Sequence, residues 1–125
     1  MRELLWVALG GAVGAPLRAL LTGWAAGSSF GRPLGTLAVN LLGSLALGYV
    51  AAVLARTPEG GAVLRPLVAL GLLGSFTTFS TFAVEVLEMA QGRSLLAAAG
   101  YALGTLAACL CAAGLGALAC GLRTG

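Results

Sequence analysis

A chain of 125 residues is enough for one domain and too short for two. It is 59% hydrophobic and 9% charged, where a soluble domain carries about 25% charged residues, so neither an ordinary water-soluble fold nor a disordered chain fits. There is no His and no Asp, which removes the parts for zinc hydrolysis, a Ser-His-Asp triad or an Asp-built magnesium site, and a net charge of +3 scattered over seven Arg and four Glu gives no basic patch for nucleic acid.

The charges mark the ends of apolar stretches. Residues 4–17 are uncharged, Arg18 interrupts, and further uncharged runs cover 33–55, 66–84 and 94–122. About 20 mostly apolar residues cross the hydrocarbon core of a bilayer. The pattern predicts an all-α membrane protein with four transmembrane helices near 4–26, 34–55, 63–90 and 95–121, forming one domain. The links SSFGRP (28–33), RTPEGG (56–61) and QGR (91–93) hold helix breakers and are too short to hide a soluble domain. Function is therefore expected inside the helices.

The first segment opens with Arg2 before an apolar run, as a signal peptide does, but Glu3 weakens the basic start and Pro16 follows the only small-residue cleavage zone, so it is expected to remain as a span. Gly10 and Gly14 are spaced GxxxG, which lets membrane helices approach closely. Arg18 is the one basic residue well inside a segment.

In the second segment, Thr36, Asn40 and Ser44 step by four and share a helix face. Polar groups at membrane depth are costly and point to function. Asn40 either ties two helices together or donates hydrogen bonds to something passing by.

The third segment reads GLLGSFTTFSTF (71–82). Thr77, Thr78, Ser80 and Thr81 are hydroxylated, Gly71 and Gly74 precede them, and Phe76, Phe79 and Phe82 recur every three. Gly, Ser and Thr together disfavour a regular helix, so this helix is expected to break at mid-membrane. Such a break is tolerated where the freed backbone is buried or lines a polar cavity, and freed carbonyls suit a hard cation. Aromatic ring edges are positive, so Phe79 and Phe82 beside hydroxyl and amide donors could bind a small anion weakly. In the fourth segment, Tyr101, Thr105 and Cys109 again step by four, and Gly100 and Gly104 form a second GxxxG pair. Cys109, Cys111 and Cys120 have neither disulfide nor metal spacing and read as small packing residues.

With four crossings, Arg2, Arg56, Arg65 and Arg123 fall on one side, and Arg32 and Arg93, with Arg18 if it snorkels, on the other. Four against three barely fixes orientation under the positive-inside rule, and so permits insertion both ways up.

GGAVGAPLR (10–18), GTLAVNLLG (35–43) and GSFTTFSTF (74–82), in that order and spacing, resemble the small fluoride channels of the Fluc or CrcB family over essentially the whole chain. That resemblance implies an antiparallel, dual-topology homodimer in the bacterial inner membrane with two fluoride pores, releasing cytoplasmic fluoride passively without enzymatic step or nucleotide. It implies Asn40 as the pore amide, Phe79 and Phe82 as ring-edge contacts, Tyr101 and Thr105 along a polar track, and Thr36 with Glu85 near the pathway, with Ser80 at the break. It also implies a structural Na+ held by the backbone carbonyls of Gly74 and Thr77 from both copies. Ala19 and Cys109 depart from the family pattern.

Two other functions fit the sequence less well. A small multidrug transporter needs a carboxylate deep in the first segment, and residues 4–26 hold none. A structural subunit with no transport of its own would leave the polar stripes of the second and fourth segments unexplained.

Overall fold

The computed structural model describes residues 1–27, 31–57, 59, 61–92 and 94–122. Arg93 and Arg123, two of the orientation charges, and parts of the three expected links lie outside the described residues. Helix α1 runs Arg2–Ala26 and α2 runs Arg32–Arg56. The third span combines α3 (Gly61–Leu64), a π-helical segment (Arg65–Leu73), α4 (Gly74–Phe76) and α5 (Phe79–Gly92). Helix α6 runs Leu95–Leu122. Four stretches, Arg2–Ala26, Arg32–Arg56, Gly61–Gly92 and Leu95–Gly121, are long and apolar enough to cross a membrane, and no strand occurs among the described residues.

The spans start or end a few residues beyond the expected bounds because Arg2, Arg32 and Arg56 continue the helices. A long Arg side chain can reach polar surroundings from a helical position, so charge does not end a span. Gly31 precedes α2 with φ 72°, a left-handed conformation that suits glycine, and Pro33 occupies the first turn, where a missing N–H costs nothing. Ser94 caps α6 by accepting from the Ala97 N–H at 3.0 Å.

The third span is the irregular one. Pro66 cannot supply an N–H, and the hydrogen-bond ladder widens to π turns around it. Ser75 Oγ donates back to the Gly71 carbonyl. After Phe76 the backbone leaves the helix: Thr77 is extended, with φ −80° and ψ 158°, and helical structure resumes at Phe79. Thr78 opens α5, its Oγ1 accepting from the Thr81 N–H at 3.3 Å. Because of this interruption, the Phe76–Phe79–Phe82 spacing does not lie along one helix.

Small residues hold the bundle together. The buried apolar side chains include Ala25, Ala98, Ala112 and Cys120, with Val39 the largest fully enclosed one, while many Leu face outward. Without water to expel, membrane helices associate by close backbone approach, and large apolar side chains are left for lipid or a partner. Gly10 and Gly14 of α1 lie directly on the backbone of the π-helical segment, at Leu67 and Leu72. Gly48 of α2 lies on the Ala113 carbonyl and Gly116 of α6 on the Leu45 carbonyl, so α2 and α6 are locked by reciprocal glycines. The Gly100–Gly104 pair differs: among the described residues, no atom of another helix comes within 4 Å of where a Cβ would stand at either position. The spacing alone does not show whether a neighbour is present.

Gly48→Val should therefore reduce the yield of folded, monodisperse protein severely, because its Cβ would collide with a main-chain carbonyl rather than a movable side chain. Gly104→Val should leave the fold of the single chain intact. Thermal denaturation in detergent compares the two.

Candidate functional site

The helix interruption at Thr77 and Thr78 is held by α2. Asn40 Nδ2 donates to the Thr78 carbonyl at 2.9 Å, and Asn40 Oδ1 accepts from the Thr78 N–H at 2.8 Å. One side-chain amide thus satisfies both backbone groups of a residue that has left the helix. The use of Asn40 as a tie between helices is therefore realised. An amide nitrogen carries two N–H groups, however, and the tie consumes one. Asn40 also lines a recess of about 240 Å³ together with Ser44, Thr77, Phe79, Phe82, Thr105 and Cys109. The recess brings together the polar stripes of α2 and α6 and the aromatic face of α5.

A separate, more polar vestibule of about 470 Å³ also borders the interruption. Arg18, Thr22, Arg32, Thr36, Ser80 and Glu85 are among its lining residues, as are Thr78 and Thr81. Arg18 Nη1 donates to the Thr77 carbonyl at 3.4 Å, a long contact. Arg32 pairs with Glu88 at 3.2 Å, both side chains being exposed. The hydroxyls of Thr78 and Thr81 are bonded at 3.0 Å, and Ser80 lies 3.4 Å from Thr78 Oγ1.

Buried hydrogen bonds join the two spaces. Glu85, 4% exposed, accepts from Thr36 Oγ1 and from the Tyr101 hydroxyl, each at 2.8 Å. The Tyr101 hydroxyl also lies 3.2 Å from the Pro33 carbonyl, at the start of α2. The Tyr101 ring packs on Phe82 with centroids 5.5 Å apart, and Phe82 on Phe79 at 5.7 Å, both pairs tilted. Phe79 itself is 78% exposed in the single chain.

The structure thus distributes the expected site residues over two compartments. Asn40, Phe79, Phe82 and Thr105 line the recess; Arg18, Thr36, Ser80 and Glu85 line the vestibule; and Tyr101 connects them. Sequence reasoning missed the pair of hydrogen bonds between Asn40 and Thr78, the capping role of Thr78, and the vestibule contributions of Thr22 and Arg32. A hydroxyl residue at the start of a helix is a readable capping signal, and the FTTFST stretch contained it.

Tyr101→Phe removes one of the two donors to the buried Glu85 carboxyl group while keeping the ring that packs on Phe82. It is expected to destabilise the protein by about 0.5–1.5 kcal/mol, read as a lower denaturation midpoint in detergent. Combined with Thr36→Val, the loss should exceed the sum of the single effects, because the carboxyl group then has neither donor.

Residues 5–117 match the family model described as "CrcB-like protein, Camphor Resistance (CrcB)". The chain belongs to the CrcB family. Among similar CrcB relatives is a protein of Hahella chejuensis named fluoride-specific ion channel FluC, 44% identical over 117 residues and 91% of each chain. A protein of Paracoccus denitrificans with the same name is 44% identical over 108 residues, 86% of each chain. A third, from Allorhizobium ampelinum, is 40% identical over 127 residues, covering all of this chain and 97% of its own. The match to CrcB relatives includes all four apolar spans. It is a match to ion channels and not to enzymes.

Proposed function

We propose that this chain is a fluoride-selective channel that works as an antiparallel homodimer in the bacterial cytoplasmic membrane and lets cytoplasmic fluoride leave down its electrochemical gradient. The observation that carries the reading is the recess beside the interrupted third span, where neutral donors and ring edges converge and no basic side chain is present. Hydrogen fluoride enters cells as a neutral weak acid and dissociates in a near-neutral cytoplasm, leaving an anion that needs an exit. Fluoride is small and strongly hydrated, so its path must replace water with other donors. The free N–H of Asn40, the hydroxyls of Ser44 and Thr105 and the edges of Phe79 and Phe82 supply donors without a full positive charge. Weak binding of this kind lets the ion leave again. A single chain leaves Phe79 exposed and the recess open on one side. A second copy, inserted the other way up, closes it and makes two equivalent paths. The interruption lies at mid-membrane in this reading, since its flanking helical arms are of comparable length. The vestibule, lined by Arg18, Ser80 and Thr36, serves as the anion's entry, and Glu85 is kept occupied by Thr36 and Tyr101.

The same reading places a structural Na+ between the copies. The donor set fits in part. The N–H that would bond the Gly74 carbonyl in an unbroken helix is that of Thr78, and it donates to Asn40 instead. The extended Thr77 directs its carbonyl away from the helical ladder, although Arg18 makes its long contact with the same oxygen. Gly74 and Thr77 would thus hold the ion through main-chain oxygens, and the bound cation would supply cross-linking charge between two copies. Among the described residues, the nearest atom beyond its own helical turn that a Cβ on Gly74 would meet is the Ala69 carbonyl oxygen at 3.6 Å. Gly74→Val is therefore expected to leave the single chain folded and to convert dimer to monomer, seen by light scattering in detergent. An unaltered dimer would count against the cation site.

Growth tests the function in cells. Expression in a bacterium stripped of fluoride export should restore growth on fluoride medium, and failure of the well-expressed protein to do so would contradict the proposal.

A further inference from the structure

At one end of the bundle, α1 and α3 leave a groove of about 670 Å³ that shares no lining residue with the recess or the vestibule. It is lined by Leu5, Trp6, Leu9, Ala62 and Val63 together with Arg2 and Glu3, the residues that open α1. The groove begins where two membrane-spanning stretches begin, at Arg2 and at Gly61. That places its mouth at headgroup depth and its apolar walls along the acyl region. Trp6 is half-buried there, as amphipathic rings are at a membrane interface. Arg2 and Glu3 have no hydrogen-bond or ion-pair partner among the described residues.

An adjacent, unpartnered cation and anion above an apolar slot complement a molecule with the opposite pair of charges above an acyl chain. We propose that this groove is a binding site for one phospholipid with a zwitterionic headgroup carrying a primary ammonium, of the phosphatidylethanolamine type. The guanidinium of Arg2 presents paired donors to the phosphate. The carboxylate of Glu3 accepts from the ammonium, and an acyl chain lies along Leu5, Leu9 and Val63. A quaternary ammonium has no N–H to give Glu3, so phosphatidylcholine lacks half of the recognition. An anionic headgroup without an ammonium places only negative charge beside Glu3.

Native mass spectrometry of the purified full-length protein in detergent, with phosphatidylethanolamine, phosphatidylcholine or phosphatidylglycerol added at matched chain length, tests this. Phosphatidylethanolamine should be retained best. Arg2→Gln and Glu3→Gln should each lower its retention roughly five- to tenfold, the effect of one charge-assisted hydrogen bond. Ala62→Trp, which fills the groove, should abolish the preference while fluoride efflux from vesicles continues. Equal retention of phosphatidylethanolamine and phosphatidylcholine would overturn the proposal, as would stronger retention of phosphatidylglycerol. Loss of dimer in Ala62→Trp would assign the groove to a second copy and overturn it as well. Lipid retention is read independently of conduction, so failure here leaves the channel assignment standing, and failure of fluoride efflux leaves the lipid result readable.

Discussion

Asn40→Asp is expected to lower fluoride efflux from reconstituted vesicles by about 10- to 100-fold. Asp retains the oxygen that accepts from the Thr78 N–H at 2.8 Å. It replaces the amide that donates to the Thr78 carbonyl at 2.9 Å with a second oxygen, so two acceptors face each other across a hydrogen-bond distance. Losing that donor and setting two acceptors against each other costs about 1–3 kcal/mol, and each 1.4 kcal/mol corresponds to a tenfold change. The substitution also removes the amide's free N–H from the recess and can place negative charge there, which repels an anion. Both effects act in the same direction. Size-exclusion and denaturation measurements on the same preparation separate them from unfolding: the dimer should persist, and an active, stable Asn40→Asp protein would remove Asn40 from the pathway.

Phe79→Ile should reduce efflux by about two- to tenfold with little effect on the fold. Phe79 is largely exposed in the single chain, so its removal opens no cavity in the chain's own core. Ile keeps the side chain apolar and bulky but has no ring and hence no polarised edge. An aromatic contact is worth about 0.5–1.5 kcal/mol, which sets the scale of the loss. Phe82→Ile is the less direct test, because Phe82 packs on both Phe79 and Tyr101 and its loss also disturbs the Tyr101–Glu85 hydrogen bond. Vesicle efflux measured with a fluoride electrode distinguishes the two: Phe79→Ile should lose conduction alone, and Phe82→Ile both conduction and stability.

The four spans were readable because charge is scarce and falls between apolar stretches, and the polar stripes of α2 and α6 were readable because their residues step by four. Asn40 and Ser44 of one stripe and Thr105 and Cys109 of the other line one recess. Other features depend on distant contacts. Pro66 marks the widened turns of Arg65–Leu73 locally, but no local pattern shows that Gly10 and Gly14 of another helix press on their backbone. The partner of the Asn40 amide was open between a neighbouring helix and a solute, because composition does not reveal that Thr78 leaves its helix with two backbone groups to satisfy. The two GxxxG pairs looked alike in sequence, yet Gly10 and Gly14 meet backbone, and Gly100 and Gly104 meet no other helix among the described residues. Spacing gives the face of a helix, and only the fold gives what lies opposite.

Passage of an anion along neutral dipoles is tested most directly by loading vesicles that contain the purified protein with equal fluoride and chloride and following both ions with selective electrodes after dilution. Fluoride should leave within the assay, with no ATP and no proton gradient, while chloride stays inside. Vesicles that hold their fluoride, or that release chloride as fast, would contradict the account.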